Sequence, residues 1–265
     1  MVHPLIIIGC NGFIGRHFCK AFPEALAIGR TELDLFYPEI TFETAGRSVA
    51  VIAAGIGNPR GCERDPEKSY QCNVVGTLSL GKELLKRGIL PILFSTDYVY
   101  DDSLQVAPLN VYGRQKAELE VKGTELGALV IRLSKVYGIE KGDKTLFDEM
   151  AALLQAGKQV RAARDQIFAP IYVGDVISHV LECILKGKRG IVTLAGPTCG
   201  SRLEMARKMA EKMGADEKLV SEISLDELQD GVLRPKRLAL QGNLSALAWQ
   251  EGVEKVVKAY VQRNK

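Results

Sequence analysis

Tyr112 and Lys116 stand four residues apart, a spacing that puts two side chains on one face of a helix with Cβ atoms about 5–6 Å apart. Tyrosine is a weak acid with an ordinary pKa near ~10, and a neighbouring ammonium stabilises its phenolate, so the pair suits proton transfer near neutral pH. Upstream, Ser95-Thr96-Asp97 closes the apolar run Ile89 to Phe94. A hydroxyl at the carboxyl end of a strand is well placed for chemistry, and Thr96 is expected to hydrogen-bond a substrate oxygen. The set suits carbonyl reduction: hydride goes to carbon, Tyr112 protonates the developing alkoxide, and Lys116 also holds the nicotinamide ribose. A second such pair, Tyr137 with Lys141, follows a strand and meets Gly138 at once, so no helix is expected to hold it.

Hydride needs a carrier, and the N-terminus has the composition of a carrier site. The apolar run Leu5-Ile6-Ile7-Ile8 leads into Gly9-Cys10-Asn11-Gly12-Phe13-Ile14-Gly15 and then a predicted helix. Glycines here admit positive φ and let backbone N–H groups approach an anion, while the helix N-terminus adds a favourable dipole. A pyrophosphate is the natural guest of Gly9, Asn11, Gly12, Phe13, Ile14 and Gly15. The spacing is G-x-x-G-x-x-G rather than the commoner G-x-G-x-x-G, and a plain glycine turn closing a strand–helix joint is the other reading.

About twenty positions on, an acidic residue would bind the ribose hydroxyls, whereas arginine accommodates a 2′-phosphate. Arg30 occupies that position, which favours NADPH and leaves NADH possible; a solvated arginine at a strand end is the alternative. Asp34 and Leu35 are expected to line the adenine. The buried strand Ser48 to Ala54 ends at Ala53-Ala54-Gly55, and loops at such strand ends face the ligand crevice. Asn73 falls inside a long helix and either meets the cofactor or faces solvent.

The elements that must hold these residues alternate. Helix Phe13 to Phe22, strand Ala25 to Ile28, helix Asp65 to Arg87 (Asp65 the N-cap), strand Ile89 to Phe94, helix Asn110 to Leu126 and strand Ala128 to Leu133 predict an α/β fold with a doubly wound parallel sheet. Beyond Gly138 the alternation loosens. A helix Thr145 to Ala156, an extended stretch Gln166 to Val173, a helix capped by Asp175 and running to Lys186, a strand Gly190 to Leu194 and helices Ser201 to Met213 and Trp249 to Gln262 suggest a smaller substrate lobe. The expected division is 1–140 for the dinucleotide domain and 141–265 mainly for the lobe, some segments of which return to the first.

Composition restricts the function. The 265 residues carry 35 basic and 32 acidic side chains, a formal charge of +3 without single-sign blocks, so neither nucleic acid nor a membrane surface is an expected partner. No run approaches the ~18–20 apolar residues of a membrane span. Three scattered histidines offer no metal site. Six cysteines without a C-x-x-C pair, and no signal peptide at the start, point to reduced thiols in a cytoplasm.

Taken together, Gly9 to Gly15, Glu32-Leu-Asp-Leu35, Asn73-Val-Val-Gly-Thr77, Ser95 to Tyr100, Pro108 to Lys116, Arg132 to Gly138, Asp165-Gln166 and Arg234-Pro235 resemble the extended short-chain dehydrogenase/reductase superfamily and, within it, the dTDP-4-dehydrorhamnose reductases. The resemblance covers most of the chain. It implies a Rossmann fold and hydride transfer from NADPH or NADH to the 4-keto group of a nucleotide-linked 6-deoxy sugar. It also implies a Thr96, Tyr112, Lys116 triad and a substrate side that includes Thr96, Asp97, Lys135 and Arg234. A small nucleotide sugar is the partner it implies, and a homodimer is compatible with it.

Two departures bear on the sugar. Lys135 stands where the family commonly has a sugar-stacking tryptophan, and Gly55 to Cys62 replaces the usual Ala-Tyr-Thr-containing loop. An epimerase or dehydratase of the same fold, or a non-catalytic NADP-binding regulatory subunit, are the rival readings.

Overall fold

Leu5–Ile8 (β1) is buried on both faces, as an unbroken apolar strand inside a parallel sheet must be. The computed structural model describes residues 4–240, 242 and 245–261. After β1 come α1 (Phe13–Ala21), β2 (Leu26–Ile28), β3 (Val49–Ile52), the short helices α2 (Pro59–Arg64) and α3 (Pro66–Tyr70), α4 (Thr77–Lys86), β4 (Leu90–Thr96), α5 (Val111–Glu125) and β5 (Leu129–Leu133). Then follow β6 (Val136–Tyr137), α6 (Leu146–Gln155), β7 (Val160–Ala163), β8 (Ile167–Phe168), β9 (Ile171–Tyr172), α7 (Val173–Leu185), β10 (Gly190–Leu194), β11 (Gly200–Ser201), α8 (Arg202–Met213), β12 (Val220–Ile223), β13 (Arg237–Leu238) and α9 (Trp249–Val261).

Six strands form one parallel Rossmann-type sheet in the order β10-β5-β4-β3-β1-β2. Winding reverses between β1 and β3, so the loops leaving these two strands part and open a crevice at their carboxyl ends. Those loops hold Gly9 to Gly12 and Ala53 to Gly57. Side chains of alternating strand positions feed two cores: Leu5, Ile7, Val49 and Val51 pack under α1 and α7, while Ile6, Ile8, Ala50 and Ile52 pack under α4 and α5. A third core, around Tyr137, Phe147, Met205 and Trp249, joins α6, α8 and α9 into a lobe beyond the sheet's carboxyl edge. From this C-terminal half β10 returns to pair with β5.

Two local expectations change. The segment Asp65 to Arg87 starts as foreseen, with Asp65 accepting from the Lys68 N–H, but Gln71–Gly76 between α3 and α4 is π-helical. The wider turn accompanies inward placement of Asn73, which is buried rather than solvent-facing. Val173 begins α7 instead of ending a strand, so Asp175 lies in the first turn and is not the N-cap; its carboxylate accepts the Leu247 N–H at 2.8 Å and ties α7 to the segment before α9. The predicted end of α9 at Gln262 lies outside the described residues.

Candidate active site

Gly9 leaves β1 at φ +85°, and a Cβ there would lie 2.6 Å from the Ala54 nitrogen. Only glycine lets the two strand-end loops come this close. Gly12 then becomes the N-cap of α1 without any side-chain cap, so the N–H groups of the first turn keep their capacity for an anion. Gly9, Asn11, Gly12, Arg30, Asp34, Leu35, Ala53, Ala54 and Gly55 all line one 440 Å³ chamber. Arg30 and Asp34 meet at 3.4 Å on its exposed rim. Phe13 starts α1, and Ile14 reaches the next chamber instead. A glycine cradle, an uncapped helix start and a basic rim fit a dinucleotide phosphate.

Asn73 acts on this chamber from beneath. Its Oδ1 accepts the Ile56 N–H at 2.8 Å, and its Nδ2 donates to the Ile56 carbonyl at 3.1 Å and to Gln115 Oε1 at 3.0 Å. It therefore clamps the Gly55-Ile56 loop to α5 and does not line the chamber itself.

The second chamber, 270 Å³, shares Ala53 to Ile56 with the first and is lined by Thr96, Asp97, Tyr112, Lys116, Ser134 and Lys135 among others. Helix α5 delivers two of these. Asn110 caps it by accepting the Gly113 N–H at 2.8 Å. Gly113 permits its first turn to rest on the Tyr98 carbonyl, which a Cβ would approach to 2.2 Å. Further along, the buried Glu120 carboxylate receives Arg132 Nε from β5 at 2.8 Å, locking α5 to the sheet.

The expected lowering of the Tyr112 pKa by Lys116 does not occur. Lys116 Nζ donates to the Phe94 carbonyl at 2.8 Å and lies 5.8 Å from the Tyr112 ring centre. Burial, with the thiol of Cys62 and the Asp97 carboxylate nearby, pushes the Tyr112 hydroxyl above its usual range, and burial pulls Lys116 down to about 8. Tyr112 is thus held as a neutral phenol: a proton donor, not a phenolate base. The rival pair is dismantled, because Tyr137 is fully buried in the lobe core and Lys141 lies over the Tyr260 ring.

Sheet register builds the remaining wall. Thr96 of β4 stands beside Leu133 of β5, so Asp97 meets Ser134, whose hydroxyl donates to Asp97 Oδ2 at 3.1 Å. Thr96 Oγ1 donates to Asp97 Oδ1 at 3.2 Å and accepts the Tyr98 N–H at 3.2 Å. Asp97 is buried, and desolvation raises its pKa to about 6 against the pull of those hydroxyls and of Lys135.

A third chamber of 400 Å³ continues from Asp97, Tyr98 and Lys135 into the lobe. Its charge is basic on balance: Arg60, Arg161, Arg202 and Arg234 join Lys135 on its wall, against Asp97, Glu149 and Asp230. Asp230 accepts from both Arg234 and Arg60 at 2.6–2.7 Å, which holds its carboxyl well below the usual range. Burial, and then the charge of Arg202, hold the Lys135 ammonium below its usual value. Among the described residues neither Lys135 nor Arg202 has a carboxylate partner within 4.0 Å.

Of the residues expected at the site, all but Phe13, Gly15 and Asn73 line one of these three chambers; Gly15 instead packs inside α1 against the Gly9 carbonyl, which a Cβ there would approach to 2.1 Å. Sequence reasoning missed Ser134, Arg60, Arg161, Arg202 and Asp230. Ser134 carried a signal, adjacent to Lys135 at a strand end; the three arginines did not, since they converge from three separate segments, α2, β7 and α8. Among the described residues no group of three or more potential ligands could hold a metal, and no helix is long and apolar enough to cross a membrane.

With this geometry in view, comparison with known proteins is informative. The family model described as the RmlD substrate binding domain matches residues 3–262. A dTDP-4-dehydrorhamnose reductase of Mycolicibacterium smegmatis is 29% identical over 289 residues, covering 98% of this chain and 87% of that protein. A probable low-salt glycan biosynthesis reductase of Haloferax volcanii is 31% identical over 193 residues, covering 68% of this chain and 64% of its own length. The solved dTDP-4-dehydrorhamnose reductase of Bacillus anthracis, in complex with NADP, is alike in fold, with a TM-score of 0.83 at 22% identity over 97% of this chain and 99% of that one.

Proposed function

The chain belongs to the RmlD substrate-binding family, and we propose that it is an NADPH-dependent reductase of a nucleotide-linked 4-keto-6-deoxy sugar. The observation that carries this reading is the continuity of the cleft. A glycine cradle with a basic rim, a chamber holding Tyr112, Lys116 and Thr96, and a basic chamber open into one another through shared lining residues.

In this reading the first chamber holds NADPH, which supplies the hydride when bound. Gly9 to Gly12 and the start of α1 bind its phosphates, and Arg30 takes the 2′-phosphate. Ile14, Ala53, Ala54 and Leu133 form an apolar wall that excludes water from the reacting carbon. Tyr112 gives its proton to the alkoxide oxygen, which is far more basic than a phenolate even when the phenol is buried. Lys116 stays protonated below about 8, and its positive charge stabilises the phenolate that Tyr112 leaves behind. The diphosphate of the sugar nucleotide lies against the arginines of the third chamber, where bidentate geometry suits phosphate oxygens.

The test mixes the protein with NADPH and a panel of nucleotide-linked 4-keto-6-deoxy sugars and follows loss of the reduced nicotinamide absorbance, with Tyr112→Phe as control. Turnover confined to the unsubstituted protein is expected. Tight NADPH binding without reduction of any panel member would overturn the substrate assignment.

A further inference from the structure

Thr96 has one proton and two lone pairs to distribute. The Tyr98 N–H takes one lone pair, and an ionised Asp97, which can only accept, takes the proton. What remains toward the chamber is a lone pair. Ser134 is committed in the same way, its proton directed at the other Asp97 oxygen. A carbonyl oxygen entering this chamber, itself an acceptor, therefore meets no donor from Thr96 while Asp97 is charged.

We propose that Asp97 is a positioning residue that sets the direction of the Thr96 hydrogen bond: ionised, it holds Thr96 as an acceptor, and protonated, it donates to Thr96 and releases the Thr96 proton toward the carbonyl oxygen of the substrate. The proposal rests on the reductase reading of the same chamber. The switch itself makes one covalent bond, the O–H bond formed when the Asp97 carboxylate takes a proton from solvent. That proton turns one hydrogen bond around, the one between Thr96 and Asp97, and frees the Thr96 proton for the carbonyl oxygen, while Ser134 goes on donating to the other Asp97 oxygen; Tyr112 still gives the proton that ends on the product.

The surroundings set the balance. Facing Asp97 are Thr96 and Tyr98 from its own segment, Tyr112 from α5, and Ser134 and Lys135 from the end of β5. Arg202 of α8 and Arg234 lie beyond Lys135 and hold down its charge. Burial has already brought the carboxyl to about 6. A ligand that covers the chamber removes the remaining water and raises it further. Substrate loading and donor formation are thereby coupled, so the hydrogen bond to the carbonyl forms when the chamber fills.

The pH dependence of reduction tests this. In the unsubstituted protein kcat/KM is expected to fall by about tenfold as pH rises through the Asp97 titration, the worth of one hydrogen bond to a group gaining charge. Asp97→Asn, whose amide does not titrate, removes this limb. Ser134→Ala takes away a donor to the charged form and moves the limb to higher pH. In Thr96→Val the limb disappears, and adding Asp97→Asn then changes nothing further. A limb that survives in Asp97→Asn, or an effect of Asp97→Asn that persists in the Thr96→Val background, overturns the proposal. A second arm needs no sugar: infrared difference spectra of aspartate-labelled protein should show a buried carboxyl band titrating near 6, absent in Asp97→Asn and shifted upward in Ser134→Ala. A titrating band without turnover would count against the reductase reading alone; no such band would count against the switch.

Discussion

The Lys116 ammonium donates to the Phe94 carbonyl at 2.8 Å while standing 5.8 Å from the centre of the Tyr112 ring. The cation is fixed to the sheet rather than to the tyrosine, and it is kept in a dry place at a cost in stability. Its pKa falls from 10.5 to about 8 because burial disfavours the charge. Between those values the unfolded chain binds the proton that the folded chain has lost, so stability rises with pH across this window and the full penalty applies below 8. Lys116→Met removes the titration. Relative to that variant the unsubstituted protein should gain about 3 kcal/mol between pH 7 and pH 10, read from urea unfolding at each pH. Parallel curves for the two proteins would refute it.

Tyr112→Phe deletes the proposed proton donor and leaves the ring in place. Reduction should drop by about 10²- to 10⁴-fold in kcat, with NADPH affinity within a factor of about two by fluorescence titration. A variant that keeps most of its rate would move the proton donor elsewhere in the chamber.

Arg30 carries a charge on the chamber rim, opposed in part by Asp34 at 3.4 Å. Arg30→Ala should weaken NADPH binding by about tenfold, the loss of one charge-assisted contact, and leave NADH binding nearly unchanged. Calorimetric titration with both nucleotides decides it, since equal losses would show that Arg30 does not read the 2′-phosphate.

Asn73→Ala leaves the Ile56 N–H without its partner and Gln115 without a donor. A loss of about 1–3 kcal/mol in unfolding free energy is expected, together with weaker NADPH binding through the loosened Gly55-Ile56 loop. Asn73→Asp should be worse than Ala for stability, because it buries a carboxylate whose oxygen faces two acceptors, the Ile56 carbonyl and Gln115 Oε1. If nucleotide affinity is untouched in both, the clamp does not govern the loop.

Much of this was legible along the chain because it depends on short-range rules. Apolar runs bounded by glycine and proline give the buried parallel strands; Asp65-Pro66 and Asn110 mark helix starts; Gly9 and Gly12 mark a close backbone approach; four-residue spacing puts Tyr112 and Lys116 on one face. Asn73 resisted because its partners lie 17 and 42 residues away, and nothing local distinguishes a buried amide from a solvated one.

The sequence by itself determined the alternation of strands and helices, the glycine cradle and the pairing of Tyr112 with Lys116 on one helix face, since each is set by residues within a turn or two of one another. Only the tertiary structure decided the state of those groups. Burial, rather than the neighbouring lysine, governs the Tyr112 proton; the register of β4 against β5 brings Ser134 to Asp97; and the lobe gathers Arg202 and Arg234 around Lys135. These are effects of desolvation and of long-range pairing, and both arise only when distant segments close over the same cavity.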